Sequence, residues 1–221
     1  MENWQIVWEA RDSLISGLFT TIEIFLIGSV LAFLLGCLVV YLLEQAGPWL
    51  RRALRVAIDL MRTLPFLIFA YLLYYGLPSL GVRLDAWTAG LIALVIYHGA
   101  YFAEMLRGAR LVMPAGGVEA ARACGFHGFT LFRRILLPQL LIRVRPLIGN
   151  QLIYCLKDTA FLTIITVNEL TAAANSIQAT YFIPMEAFVA VIGLYWMVSI
   201  VIELLVKWAG RFGRKRGFDH V

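Results

Sequence analysis

Lysine is scarce in this sequence. Lys157, Lys207 and Lys215 stand among 19 basic residues, so arginine supplies nearly all the positive charge. Charge of either sign is thin, at 15% of 221 residues, against 61% hydrophobic residues and a mean hydropathy of +0.81. A soluble domain of this length could not cover its surface with so few charges, so the composition is that of a membrane protein. Three cysteines, Cys37, Cys124 and Cys155, lie far apart, which excludes a disulfide framework and metal-ligand spacing. There is no glycine-rich loop ending in Gly-Lys-Ser/Thr, hence no phosphate cradle and no motor of its own. The histidines, His98, His127 and His220, stand apart, and no nucleophile–base pair is evident. Nucleic-acid binding is also excluded: the arginines flank apolar runs and form no continuous basic face. Residues 1–13 are acidic and amphipathic, unlike the basic start of a cleavable signal.

What the sequence has is long apolar runs. About 20 such residues cross a bilayer as a helix. Spans are predicted at about 13–43, 56–75, 87–106, 135–156 and 186–208. Trp4 and Trp8, four apart, predict a short interfacial helix ahead of the first span. Gly28, Ser29, Ala32 and Gly36 form a small-residue stripe suited to close helix packing. Glu23 is an acid within the first span. Residues 44–55 read as a charged loop turning at Gly47-Pro48, and Pro65 predicts a kink in the second span. Between Asp158 and Leu170 the apolar core is too short to cross, which predicts a re-entrant element over about 158–170.

Orientation follows from arginine and lysine placement. With five spans, the 44–62 and 107–134 segments and the C-terminal tail share one side and hold 14 of the 19 basic residues. The N-terminus is then outside and the C-terminus cytoplasmic.

The cytoplasmic 107–134 segment contains EAARACGFHGFTLFRRILLP, residues 119–138. Glu119 near a helix start complements the macrodipole. Ala120 and Ala121 permit close approach of a partner, and Gly125 permits a sharp turn. Pro138 falls at the start of the next helical segment. The spacing Glu119-Ala120-Ala121, Gly125, then Ile135, Leu137 and Pro138 resembles the EAA motif of permease subunits of binding-protein-dependent ABC importers. Arg62-Thr63-Leu64-Pro65, Tyr74-Tyr75-Gly76-Leu77-Pro78, Gly99 to Gly108, and Pro146 to Gln151 running into Leu156 to Thr159 resemble the polar amino acid branch of that family. That branch has Gly-Gln before the motif glutamate; Gly117-Val118 stands here.

The resemblance implies an all-α membrane protein with the five-helix type I ABC importer permease fold, in a bacterial cytoplasmic membrane. It implies a coupling helix over about 119–129, between spans three and four, that contacts an ABC ATPase through Glu119, Ala120, Ala121, Gly125 and Phe129. ATP and Mg would be held by that partner, with no cofactor in this chain. Further partners implied are a second permease subunit, an extracytoplasmic binding protein and a polar amino acid or related opine. Intramembrane polar groups are the default candidates for the substrate path: Asn150, Gln151, Asp158, Thr159, Thr163, Glu169 and Glu104. Lys157-Asp158 reads equally as an internal ion pair, and Glu104 with Arg107 (i, i+3) reads as a structural pair at the cytoplasmic end. Two rival functions use the same features differently. An ion-coupled secondary carrier would need no ATPase and would show inverted repeats, which are not evident. A non-transporting membrane scaffold would leave the re-entrant element and the polar fourth span unexplained.

Overall fold

The computed structural model describes residues 2–214, with side chains over 3–210. Among these residues there are helices and no strand. A chain crossing lipid must satisfy its backbone polar groups internally, and the helix does so within one segment. The α-helices are α1 (Glu2–Glu9), α2 (Arg11–Gln45), α3 (Pro48–Thr63), α4 (Phe66–Tyr71), α5 (Ala86–Leu111), α6 (Gly116–Ala123), α7 (Gly128–Leu131), α8 (Leu137–Asp158), α9 (Leu170–Tyr181) and α10 (Pro184–Arg214). Three of them, α2, α5 and α10, are each long and apolar enough to cross a membrane. Two bent pairs bring the number to five if each is one span: Pro48–Thr63 with Phe66–Leu80, and Gly128–Ile165 with Leu170–Tyr181.

Several boundaries differ from the sequence-based expectations. Residues 48–55 are not loop but the first half of α3, with Pro48 at a position where a missing N–H costs nothing. At Pro65 the helix does not kink but breaks: α3 ends at Thr63 and α4 begins at Phe66. Proline drives the preceding residue out of the α region, so α3 ends at Thr63, whose hydroxyl donates to the Leu60 carbonyl at 2.9 Å. α5 runs to Leu111, five residues beyond the predicted span, and carries Arg107 and Arg110 within it. The fourth span starts earlier than expected, since the chain is already helical from Gly128.

Proline also explains two π-helical stretches. Leu72–Gly76 and Phe132–Leu136 each end two residues before a proline, Pro78 and Pro138. The carbonyls of Tyr74 and Arg134 therefore lack the N–H that would close an α-helical turn, and the turn widens. Pro138 is the second residue of α8, as expected, and α8 follows directly on this widened turn.

The chain divides into two compact units, with borders inside α2, α5, α8 and α10 and one between α3 and α4. One unit comprises Met1–Val30, Leu64–Val95 and Leu152–Ile202. Its apolar cluster joins Val7 of α1 and Leu14 of α2 to Leu170, Ala174 and Ile177 of α9 and to Ala187 and Val191 of α10. Asn3 donates to Glu186 at 2.9 Å, tying α1 to α10. In lipid such contacts gain little from apolar burial itself, and close packing by small residues such as Ala173, Ala174 and Ala187 takes over.

The other unit comprises Leu31–Thr63, Ile96–Gln151 and Glu203–Val221. Its cluster gathers Val40 and Leu43 of α2, Ile58 of α3, Leu106 of α5, Val118 of α6 and Leu140 of α8. Gly36 lets α2 approach α5: a Cβ there would stand 2.6 Å from the Phe102 Cβ and 2.9 Å from the Ala103 nitrogen. The small-residue stripe is thus a packing face, with Ser29 and Ala32 buried along it. Glu23 is exposed, on the side of α2 that also exposes Phe19 and Ile27.

Candidate functional site

α6 is a short helix closed by its own sequence. Cys124, Gly125 and Phe126 donate backbone N–H bonds of 3.0 Å to Ala120, Arg122 and Ala121. The last two bonds form the Schellman pattern, which requires a left-handed residue just past the helix. Gly125 fills that place with φ +87°. Ala121 and Phe126 both pack on the apolar cluster, completing the motif's hydrophobic contact. Val118 is buried beneath the helix, whereas Glu119, Ala120, Arg122 and Ala123 are exposed. The helix therefore covers 116–123 rather than 119–129. Phe129 belongs to α7, where its ring meets Tyr41 edge-on at 5.6 Å.

The structure gives the other sequence-predicted residues different surroundings. Within the second unit, Glu104 receives two hydrogen bonds of 2.7 Å from Arg107 and lies 3.6 Å from Arg62. Gln151 is buried and pairs with His98 Nδ1 at 2.7 Å. Asn150 is exposed on α8.

Within the first unit, Thr159 is buried and donates to the Leu156 carbonyl at 2.7 Å. Thr163 is half-buried and accepts from Asn175 at 3.5 Å. Asp158 is half-buried at the end of α8. A 3₁₀ stretch, Thr159–Ile165, ends at Thr166 with φ 67°.

Glu169 follows, fully buried. Its carboxylate accepts from the Thr171 and Ala172 N–H groups at 2.8 Å each, and from the Tyr195 hydroxyl at 2.9 Å. Thr21 Oγ1 accepts from the Leu170 N–H at 3.0 Å. Two side chains thus satisfy the first N–H groups of α9, which no intrahelical carbonyl could reach. Beside Glu169 lies a pocket of about 230 Å³ lined by Ser13, Ser16, Asn168 and Ser176.

Sequence reasoning missed Tyr195 and Thr21, because their partners are 26 and 149 residues away. It also missed Tyr101, which donates to the Arg62 carbonyl at 3.2 Å and lies 5.7 Å from that guanidinium. Among the described residues no group of three metal-ligating side chains comes together.

Comparison with known proteins places this arrangement. The glutamine transport system permease protein GlnP of Escherichia coli (strain K12) is 31% identical over 207 residues, 93% of this chain and 94% of that protein. The octopine transport system permease protein OccM of Rhizobium meliloti is 32% identical over 219 residues, 92% and 88% of the two chains. The crystal structure of an amino acid ABC transporter with histidines superposes with a TM-score of 0.81 at 27% identity, covering 93% of this chain and 96% of that one. The MetNI methionine ABC transporter in an inward facing conformation shares the fold, with a TM-score of 0.72 at 19% identity over 90% and 94% of the two chains. Residues 28–214 match the family described as the binding-protein-dependent transport system inner membrane component, and the chain belongs to that family.

Proposed function

We propose that this chain is the permease subunit of an ATP-driven importer of polar amino acids or related opines. It works beside a second permease subunit, two ABC ATPases and an extracytoplasmic binding protein. The observation that carries the reading is α6, a helix of eight residues anchored by Val118 and offering Glu119, Ala120 and Ala123 outward. Small exposed side chains allow another protein's backbone to come close, and Glu119 supplies a charge at the rim. α6 is the coupling helix of this reading, seated in a groove of the ATPase, which holds ATP and Mg. Closure of the ATPases then moves the permease subunits between inward- and outward-facing states.

The arginines of α3, of the α5 terminus and of α6 support a cytoplasmic position for that side, with the N-terminus outside. Asn150, Asp158 and Thr163 are the residues we assign to the substrate path. Glu104, Gln151 and Glu169 also join helices, through Arg62, His98 and Tyr195, and Thr159 donates locally to the Leu156 carbonyl. Relatives named for glutamine and octopine transport support a substrate with an amino acid backbone.

Copurification tests the reading. The tagged chain should bring an ABC ATPase with it, and Glu119→Lys should weaken that association. A complex that assembles with Glu119→Lys and keeps normal substrate-stimulated ATP hydrolysis would count against α6 as the coupling element.

A further inference from the structure

In the second unit, five guanidinium groups converge on one pocket. Arg51 and Arg55 come from α3, Arg107 and Arg110 from α5, and Arg122 from α6; Glu44 is the carboxylate on the wall. The pocket measures about 400 Å³. Several of its guanidiniums are held in place by the fold. Arg51 donates to the Leu43 and Ala46 carbonyls at the end of α2, each at 3.1 Å. Arg107 is fixed by the two bonds to Glu104, and Arg110 lies 3.2 Å from Glu44. Arg55 and Arg122 are exposed at the mouth. Glu44 and Glu104 offset part of this charge, and the guanidiniums left over repel one another unless an anion sits among them. The planar forks of arginine suit the paired oxygens of a phosphate.

Part of the rim is apolar. Leu43 and Leu111 line the pocket, and Leu111 and its chain neighbour Val112 are 67% and 73% exposed. A free phosphate would have no use for such a rim, nor would an acidic peptide. A molecule with an anionic head and apolar tails matches both parts of the surface.

We propose that this pocket binds the phosphate-bearing headgroup of an anionic phospholipid, with the acyl chains lying along the apolar rim. Three separate helices, α3, α5 and α6, supply the ligands, so an occupied pocket fixes α6 against the other two. The pocket geometry stands by itself; assigning the lipid to the cytoplasmic leaflet rests on the orientation proposed above.

The test uses the purified full-length chain in neutral detergent, with thermal unfolding and native mass spectrometry as readouts. Dihexanoyl phosphatidylglycerol should raise the melting temperature saturably and remain bound in the spectrometer. Dihexanoyl phosphatidylcholine and inorganic phosphate at equal concentration should do neither. Arg55→Gln/Arg122→Gln should weaken phosphatidylglycerol binding about 30-fold, roughly fivefold per guanidinium, without changing the melting temperature measured without lipid. The single variant Arg122→Gln should show about a fivefold loss, and it serves if the double variant folds poorly.

Equal effects of the two lipids would overturn the proposal. Inorganic phosphate matching phosphatidylglycerol would overturn it in favour of a free anion. Unchanged lipid binding in the variants, with ATPase copurification lost, would overturn it in favour of an acidic protein surface. None of these readouts requires transport, so a failure here leaves the importer reading intact.

Discussion

Tyr195 of α10 donates its hydroxyl to the Glu169 carboxylate at 2.9 Å, and the same carboxylate caps α9. A buried acid that is a substrate-path candidate in the sequence is also a joint between two helices. Glu169→Ala strips the Tyr195 hydroxyl and two helix N–H groups of their acceptor. It should cost about 2–4 kcal/mol of stability, seen as a lower melting temperature. Tyr195→Phe should move the same way by less. Asp158→Ala should lower amino acid uptake in the reconstituted complex. Unchanged uptake would remove Asp158 from the path.

Gly125 is tested by backbone preference. Nothing stands within 4 Å of a Cβ built there, so only the positive φ resists substitution. Gly125→Val should cost about 1–2 kcal/mol of α6 stability, while Gly125→Asn should cost less because asparagine tolerates the left-handed region. Hydrogen exchange at the Cys124 and Phe126 amides reads this directly. Equal protection in both variants would show that the Schellman closure is not what ends the helix.

Glu104 and Arg107 form a part-buried pair, with side chains 23% and 27% exposed. Its loss should fall between the roughly 1 kcal/mol of an exposed pair and the 3–5 of a buried one. Glu104→Ala should therefore lower stability by about 1–3 kcal/mol. The exchange Glu104→Arg/Arg107→Glu should recover part of it, although Arg62 then faces a like charge. No recovery would place the cost in packing rather than in charge.

Asp85 caps α5, accepting from the Thr88 N–H at 2.9 Å. That bond holds its carboxyl below the ordinary carboxylate range. The benefit is therefore fully present above the unfolded-state pKa and is lost as pH falls through the lower folded value. Protection of the Thr88 amide, corrected for intrinsic exchange, should be constant from neutral pH to about 4 and decline below it. Asp85→Ala should abolish that decline. A decline that persists in the variant would assign it to another group.

Much of the fold is legible in the sequence, because lipid imposes a length rule and a backbone rule on any crossing helix. The apolar runs mark α2, α5 and α10, and Gly36 and Gly125 act where spacing places them. The errors have physical causes too. The apolar period of α6 continues through Phe126 and Phe129, so periodicity alone carries the helix past the glycine that ends it. The helix breaks after Thr63, where the missing N–H of Pro65 alone suggests a kink; its local sign is the restricted residue before the proline. The joint at Glu169 was not legible because Tyr195, 26 residues away, meets it only in three dimensions. The arginine pocket was hidden for the same reason: its members spread from Arg51 to Arg122.

The most direct measurement uses a cysteine the chain already has. Cys124 is exposed at the end of α6, whereas Cys37 and Cys155 are buried. A water-soluble maleimide should therefore label the chain alone at Cys124. In the assembled transporter the ATPase should cover α6, slowing that labelling at least tenfold, and a bifunctional thiol reagent should join Cys124 to a cysteine placed in the ATPase groove. Labelling of Cys124 at the same rate in the isolated chain and in the assembled transporter would contradict the docking of α6 on the ATPase.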